Sequence, residues 1–346
     1  MTLEEFINSQ QIALYITNLP PESTLDKTLF PPVKQFGTEI ELAKGSKQKP
    51  VALRMSTFDV AVKPRALNAS LNILKKELPF FKESVMIKEK DRQMLIMAMG
   101  ANNQNLIQNL LSQVYDNYQN LVDGAEVQMR RARAQLLQHA SINITTKDGD
   151  IVVDYAAPDN HKVELTGTDA WSNPDADIVG DLIAWQEILT DDGYGIANTL
   201  VLTKTTLNYI LKNTAILNEL KAQRLGVVIV TQQDVINYLN TKLGLNVAVV
   251  NGTYRAENGA LFNYYEDNFV TMIPSGTLGR TIYGTTPEEA DLILGSKKHD
   301  TAIVNTGVAI TTMPKVDPVT IETKVSQLAL PSFDRVDECF FAKVAE

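Results

Sequence analysis

Two alternating stretches near the start of the chain flank a basic segment rich in turn-forming residues. Residues 39–42 (EIEL) and 58–63 (FDVAVK) alternate polar and apolar side chains, which is the period of a half-buried strand. Between them lie the cationic segment 44–50 and the mixed segment 51–55. We therefore predict a long, thin hairpin over residues 39–66. An isolated hairpin is only marginally stable in water. A neighbouring copy of the chain is the expected support, which favours a protein that assembles over one that catalyses.

This hairpin segment carries surplus positive charge on an acidic chain, whose net charge is -9. Its basic residues are Lys44, Lys47, Lys49, Arg54, Lys63 and Arg65. A positive limb laid on an acidic neighbour gains steering and register. We therefore predict that these residues make intersubunit contacts, and charge alone leaves a solubilising surface equally open. The acidic balance of the whole chain argues against general nucleic-acid binding.

Length and composition predict a substantial core and more than one domain. The chain has 346 residues, of which 44% are hydrophobic, and it has a single cysteine, Cys339. One cysteine excludes an internal disulfide, and a reducing compartment is the simpler interpretation. Residues 1–6 are acidic where a secretory leader is cationic. No run of about 18 apolar residues occurs, so no membrane partner is expected.

Residues 101–140 have the strongest helical periodicity in the chain. The apolar positions that recur at helical spacing are Leu106, Ile107, Leu110, Leu111, Val114, Tyr115, Tyr118, Leu121 and Val122. A helix of this length spans roughly 55–60 Å. Such a helix suits a spine along a flat plate better than the interior of a compact globule.

The rest of the chain predicts an α+β protein with an inserted domain. Residues 1–38 contain two proline pairs and are expected to form a loosely packed arm. Helical and strand patterns alternate over 175–298, as in an α/β domain. The strand-like segments after residue 299 are expected to rejoin the sheet beside residues 142–155. A short helix is predicted over 71–78.

No catalytic, cofactor or metal site is predicted. His139, His161 and His299 lack a second ligand at metal spacing. Cys339 precedes two phenylalanines and is expected to be buried and inert. No phosphate-binding glycine motif or nucleophile elbow occurs. The acidic pairs at 191–192, 266–267 and 288–289 are predicted to be solvated.

A basic cluster lies on the long helix, at Arg130, Arg131 and Arg133. It is predicted to face packaged DNA or to contact a neighbouring subunit. The solvated face of a helix is the alternative that the sequence leaves open.

Several motifs in this order resemble the major capsid proteins of tailed bacteriophages, in the lambda-like phage capsid protein E family. The resemblance covers nearly the whole chain and includes the long helix that holds residues 126–138. The motifs are FDVAVKPR at 58–65, GTDAW at 167–171, PDADI at 174–178, GRTIYG at 279–284 and LALP at 328–331.

The resemblance implies a tailed-phage major capsid fold and a structural, non-enzymatic function. Its parts would be an N-terminal arm, an extended loop, a peripheral domain with a spine helix and sheet, and an axial domain. On this chain they map to residues 1–38, 39–66, 67–174 together with 299–346 (spine helix about 101–140), and 175–298.

The implied partners are further copies of the chain, arranged in pentamers and hexamers. Scaffolding, portal and decoration proteins and non-specifically packaged double-stranded DNA are implied as well. The protein would reside in the virion capsid after assembly in the host cytoplasm. Three alternatives remain open: an encapsulin-like shell, a tail or connector protein, and an α/β nucleotide-binding protein that uses residues 175–295.

Overall fold

The computed structural model describes residues 7–20, 23–43, 73–101, 103–146, 149–223, 229–256, 259–295 and 300–346. The helices are α1 (Ser9–Thr17), α2 (Leu25–Leu29), α3 (Glu89–Gly100), α4 (Gln104–His139), α5 (Ile178–Asp191), α6 (Lys204–Lys212), α7 (Thr214–Gln223), α8 (Gln232–Leu243) and α9 (Pro287–Ile293). Short 3-10 turns cover Asp159–His161, Gly167–Asp169 and Val336–Glu338.

The strands follow in chain order. They are β1 (Pro32–Lys34), β2 (Glu39–Ala43), β3 (Ile73–Glu77), β4 (Phe80–Ile87), β5 (Ser141–Thr146), β6 (Gly149–Asp154), β7 (Lys162–Glu164), β8 (Thr199–Leu202), β9 (Asn246–Val249), β10 (Thr253–Arg255), β11 (Leu261–Asn263), β12 (Phe269–Ile273), β13 (Arg280–Tyr283), β14 (Asp300–Val304), β15 (Val308–Lys315), β16 (Thr320–Ser332) and β17 (Phe340–Lys343). The mixture of helix and sheet confirms the predicted α+β class.

The chain divides into two compact units. The first contains residues 1–40, 75–133 and 279–332, and the second contains 41–74, 134–278 and 333–346. Relative to the predicted domains, residues 134–174 and 333–346 group with the second unit, and 279–298 group with the first. The assignment of peripheral and axial domains stays a prediction.

The first unit is built on a six-stranded sheet with the order β1-β13-β16-β15-β14, and β4 also pairs with β16. The long strand β16 runs antiparallel to β4, β13 and β15. The short strand β1 pairs in parallel with β13. Strands from three distant parts of the sequence therefore share one sheet.

The long helix α4 confirms the predicted spine. It has 36 residues, and residues 104–133 of it belong to the first unit. Its apolar stripe, which includes Tyr118, Leu121 and Val122, packs in one core with residues of the sheet such as Ile310 and Val325. This is the arrangement that the helical periodicity predicted.

The N-terminal segment is packed into the first unit, and the prediction of a loosely packed arm is wrong for its described residues. Ile12 and Ile16 of α1 are buried in the same core as α4. The hydroxyl of Ser9 donates to Asp300 Oδ1 at 2.6 Å, and its backbone N–H donates to Oδ2 at 2.7 Å. Phe30, just after α2, is fully buried.

The second unit contains a five-stranded sheet with the order β7-β17-β12-β8-β9. Helices α5, α6 and α8 contribute to its core, which includes Trp185, Leu207 and Leu239. The hairpins β5-β6 and β10-β11 form separate two-stranded sheets. Thr231 caps α8 in a capping box, and Gly244 ends it with a left-handed conformation.

Two sequence predictions of local structure are wrong. Residues 73–77 form strand β3, which pairs with β2, although a helix was predicted over 71–78. The strands after residue 299 do not join β5 and β6 within the described residues. Instead β16 pairs with β15 and with β4, and β17 pairs with β12 and β7.

Candidate functional site

The basic cluster on α4 leads to the most developed polar site of the first unit. Arg133 is only 1% exposed, and its guanidinium lies between two carboxylates. Its Nε donates to Asp26 Oδ2 at 2.7 Å, and its Nη2 donates to Glu126 Oε1 at 2.5 Å. A third donor, Nη1, reaches the hydroxyl of Thr281 at 3.4 Å. A buried guanidinium requires such partners, because an unpaired charge in the core is strongly unfavourable.

Two further cations border this site, which we call the Asp26–Arg133 network (Asp26, Lys27, Glu126, Arg130 and Arg133). Arg130 Nε lies 3.7 Å from Asp26 Oδ1, and Lys27 Nζ lies 3.4 Å from Glu126 Oε1. The network joins α2 to α4 within the first unit.

The electrostatics of the network favour the charged state. Burial alone would lower the pKa of Arg133, but the negative charges of Glu126 and Asp26 raise this pKa above its ordinary value. Burial, assisted by the charge of Glu126, raises the pKa of the nearby Tyr283 to about 12. The guanidinium therefore stays protonated, and the tyrosine stays neutral, at every physiological pH.

The guanidinium of Arg133 is buried and hydrogen-bonded within this network. In this conformation it therefore cannot contact DNA or a neighbouring subunit. Arg130 and Arg131 are partly exposed. An outward role for those two arginines stays a prediction. The sequence prediction grouped the three arginines because they are close together in the chain. In the structure, the burial of each arginine depends on whether it lies on the face of α4 that meets α2 and β13.

Strand β13 carries the GRTIYG motif, and the structure explains both glycines. A Cβ at Gly279 would lie 1.9 Å from the backbone oxygen of Ser332. A Cβ at Gly284 would lie 2.6 Å from Leu78 Cδ1 and 2.7 Å from the backbone oxygen of Gly37. Both ends of the strand therefore pass too close to other segments for any larger residue.

The acidic pair Glu288–Glu289 at the start of α9 was predicted to be solvated, and that prediction is wrong. The ammonium of Lys324 donates to Glu288 Oε1, and the hydroxyl of Ser326 donates to Glu288 Oε2 at 2.8 Å. Lys34 donates to Glu289 Oε2 at 2.5 Å. Burial opposes ionisation of Glu288, but its hydrogen bonds, led by the one from Lys324, hold its pKa below the usual value. These pairs tie α9 to β16 and β1 within the first unit.

In the second unit the GTDAW and PDADI motifs surround the start of α5. Trp171 is buried, and its indole Nε1 donates to Asp181 Oδ2 at 2.9 Å. Its ring stacks on Trp185, with the ring centroids 5.6 Å apart. Asp177 caps the helix by accepting from the backbone N–H of Gly180 at 2.9 Å. The motifs therefore have a structural explanation.

His161, His139 and Cys339, considered above as candidate ligands or nucleophiles, are buried or contact other side chains of the fold. His161 is buried, and its Nε2 lies 2.8 Å from Asp192 Oδ2. His139 lies edge-on to Phe269 with its Nε2 3.8 Å from Glu266 Oε1. Cys339 is fully buried, and burial raises the pKa of its thiol well above the ordinary value. No group of side chains suited to a metal ion occurs in the described residues.

The six basic residues of the predicted hairpin, Lys44 to Arg65, lie outside the described residues, as does His299. Sequence reasoning missed Asp26 and Lys34, because each acquires its role from a partner far away in sequence. It also missed Glu126, whose partner Arg133 lies only seven residues later on α4. The acidic Asp26 in the first turn of α2 is a local signal that helix-dipole arguments alone would explain.

Comparison with known families decides what kind of chain carries these features. The family model described as phage major capsid protein E matches residues 8–344. The chain belongs to the phage major capsid protein E family. It is accordingly a structural protein of the icosahedral phage head shell.

Two solved structures support this fold for the capsid protein. A prophage protein of E. coli CFT073, described as its capsid protein, superposes with a TM-score of 0.63 at 12% identity, covering 98% of this chain and 99% of the other. A phage-related protein from Bordetella bronchiseptica RB50 superposes with a TM-score of 0.54 at 11% identity, covering 97% of each chain. The search of curated proteins gives no match. Within the described part of the capsid protein, no helix is both long and apolar enough to cross a membrane.

Proposed function

We propose that this chain assembles with copies of itself into a closed shell of pentamers and hexamers that encloses double-stranded DNA. The observation that carries the proposal is the family match, which spans residues 8–344. The net charge of -9 suits a container that encloses DNA without gripping it along its length.

The extended loop over residues 39–66 would supply contacts between subunits through Lys44, Lys47, Lys49, Arg54, Lys63 and Arg65. Strands β2 and β3 support this role because they pair with each other at the two ends of the intervening segment. Permanent assemblies usually bury roughly 2,000 Å² or more per interface, and a limb of this kind adds such area.

Separate scaffolding and portal proteins, and decoration proteins on the finished shell, would complete the head, with assembly in the host cytoplasm. Arg130 and Arg131 would face the packaged DNA or a neighbouring subunit. We place no catalytic step on the chain. The buried, weakly acidic thiol of Cys339 and the internal partner of His161 support that choice.

Expression of the chain alone, followed by sedimentation velocity and negative-stain microscopy, tests the proposal. We expect closed shells, whereas rings, tubes or a compact monomer under all conditions would refute it. Nucleic acid or protein cargo in purified particles distinguishes a phage head from an encapsulin-like compartment.

A variant lacking residues 44–58 tests the loop, and a variant with the same residues replaced by a Gly/Ser linker of equal length is its matched control. Loss of shells in both variants supports intersubunit contacts by the native loop sequence. Intact shells of normal stability from the deletion variant would refute a role for the loop.

A further inference from the structure

Three buried hydroxyl groups in the core of the first unit have no hydrogen-bond partner among the described residues. They belong to Tyr118 on α4, Thr312 on β15 and Thr323 on β16. Tyr118 is 1% exposed, Thr312 is 6% exposed and Thr323 is 0% exposed. A buried hydroxyl without a partner is costly, and most buried polar side chains in proteins are hydrogen-bonded. Three such groups in one core therefore need an explanation.

The three hydroxyls lie in one place between the spine helix and the sheet. Thr312 and Thr323 are cross-strand partners, so their side chains stand beside each other on one face. That face is turned toward α4, because Ile310 and Val325, two residues away along the strands, pack in one core with Tyr118. The hydroxyl of Thr323 is close enough to oppose the rise that burial causes in the pKa of Tyr118, but the two groups are not in hydrogen-bonding geometry. The phenol and the two threonines therefore border one small polar site in an apolar core.

A second threonine pair in the same sheet shows what a direct contact looks like. Thr301 and Thr311 are also cross-strand partners, and their hydroxyls hydrogen-bond to each other at 3.0 Å. Thr311 directly precedes Thr312 on β15, so its side chain points to the opposite face of the sheet. The pair that faces α4 does not form such a bond, although it consists of the same residue type in the same antiparallel pairing.

A cavity borders this polar site. It has a volume of 220 Å³, lies between β4, α3 and α4, and has Tyr118 and Val85 in its lining. Val85 is the cross-strand partner of Thr323 on β4. Asp91, which also lines the cavity, is exposed, so solvent can enter. A water molecule takes up about 30 Å³ in the liquid, and the cavity therefore has room for water next to Tyr118.

We propose that an ordered water molecule binds between Tyr118, Thr312 and Thr323 and links α4 to β15 and β16. Buried waters typically make about three hydrogen bonds to polar groups that otherwise lack partners. The phenol donates to the water oxygen, and the water donates its two hydrogens to the two threonine oxygens. Burial raises the pKa of Tyr118 to about 12, so the phenol keeps the proton that this bond requires. The site lies within one subunit and is independent of the proposed assembly.

The bound water fixes the position of the spine helix on the sheet. The other residues of the core around Tyr118 are mainly aliphatic, and apolar burial has no preferred direction. Hydrogen bonds through water are directional and nearly as favourable in enthalpy as direct ones. The water therefore selects one placement of α4 among those that the apolar core alone would tolerate.

Thr323→Val tests the site through the sign of its effect on stability. Valine keeps the shape of threonine and removes only the hydroxyl. With the water bound, the variant loses a hydrogen bond, and we expect the Tm of unassembled subunits to fall by about 2–4 °C. A hydroxyl without a partner gives the opposite result, because its removal relieves a desolvated polar group. An unchanged or higher Tm therefore overturns the proposal.

Thr311→Val is the matched control, because it removes the hydroxyl of a buried threonine whose direct partner is Thr301. Its decrease in Tm calibrates the loss of one threonine hydrogen bond in this sheet. Tyr118→Phe then tests whether the helix shares the water. We expect Tyr118→Phe and Thr323→Val together to lower the Tm by less than the sum of their separate decreases, because one water is lost only once. Additive decreases overturn a shared site.

A density map of the unchanged chain, at a resolution that shows ordered waters, locates the water directly and does not depend on the folding of any variant. We expect a peak within hydrogen-bonding distance of Tyr118 and of both threonines. A map without this peak, or with a direct hydrogen bond between Tyr118 and Thr323 in its place, overturns the proposal.

Discussion

The Asp26–Arg133 network provides the sharpest test of how the first unit is held together. Asp26→Asn keeps the size of the side chain and removes one of the two carboxylates that contact the buried guanidinium. Removing one partner of a buried ion pair costs about 3–5 kcal/mol. Because Glu126 Oε1 remains 2.5 Å from Nη2 of Arg133, we expect the lower end of that range. A loss of about 3 kcal/mol corresponds to a decrease in Tm of roughly 6–12 °C.

The measurement is thermal and urea unfolding of unassembled subunits, isolated by sedimentation. Asp116→Asn is the matched control, since Asp116 is an exposed carboxylate on the same helix. We expect this control to change stability by less than about 0.5 kcal/mol.

A double-mutant cycle with Arg133→Met separates loss of the ion pair from other effects. Once the guanidinium is gone, Asp26→Asn is expected to cost less than about 1 kcal/mol, because no buried positive charge is left without a partner. Equal costs in the two backgrounds, or a single-variant cost no larger than that of Asp116→Asn, would refute the reasoning.

Three further predictions concern other parts of the chain. Gly279→Ala is expected to destabilise the first unit by about 1–3 kcal/mol or to prevent folding, because the added Cβ overlaps backbone atoms. Gly124→Ala on α4 has open space around the added Cβ and is expected to stabilise the protein by about 0.5–1 kcal/mol. Chemical denaturation compares the free energies of unfolding of the two variants. The pKa of Glu288 is lower in the folded protein than its unfolded value of 4.5, so ionised Glu288 contributes its full stabilisation above pH 4.5. This stabilisation is lost as the pH falls through the lower, folded pKa. In acid titrations followed by circular dichroism, Glu288→Gln is therefore expected to lose less stability over that pH window than the unchanged protein. Cys339 is expected to resist a thiol reagent at pH 8 in the folded protein and to react within minutes in denaturant, and rapid labelling of folded subunits would show that the thiol is accessible.

Local patterns in the sequence predicted the elements whose stability is local. The spine helix follows from its periodic apolar residues. Cys339 is buried as its two phenylalanine neighbours indicated. In each case the signal lies within one element.

The sequence did not predict features that depend on distant partners. Residues 73–77 have helix-forming lysine and leucine, but the hydrogen bonds of β2 make them a strand. The pairing of β16 with β4 joins segments more than 230 residues apart, which no local pattern encodes. Arg133 was taken as part of an outward cluster because its partner Asp26 lies 107 residues away, and Glu126, seven residues before it on α4, does not by itself indicate a buried site.

The parallel pairing of β1 with β13 has a consequence for biosynthesis. Lys34 hydrogen-bonds to the backbone oxygen of Gly284, 250 residues later. At ~5–20 residues per second, a ribosome needs roughly 12–50 s to supply that partner, and the tract that leaves the exit tunnel first must wait for it. Contacts of such long range also fold slowly. The nascent N-terminal tract is thus a natural client for chaperones, and its hydrophobic segments stay open to misassociation until translation is nearly finished.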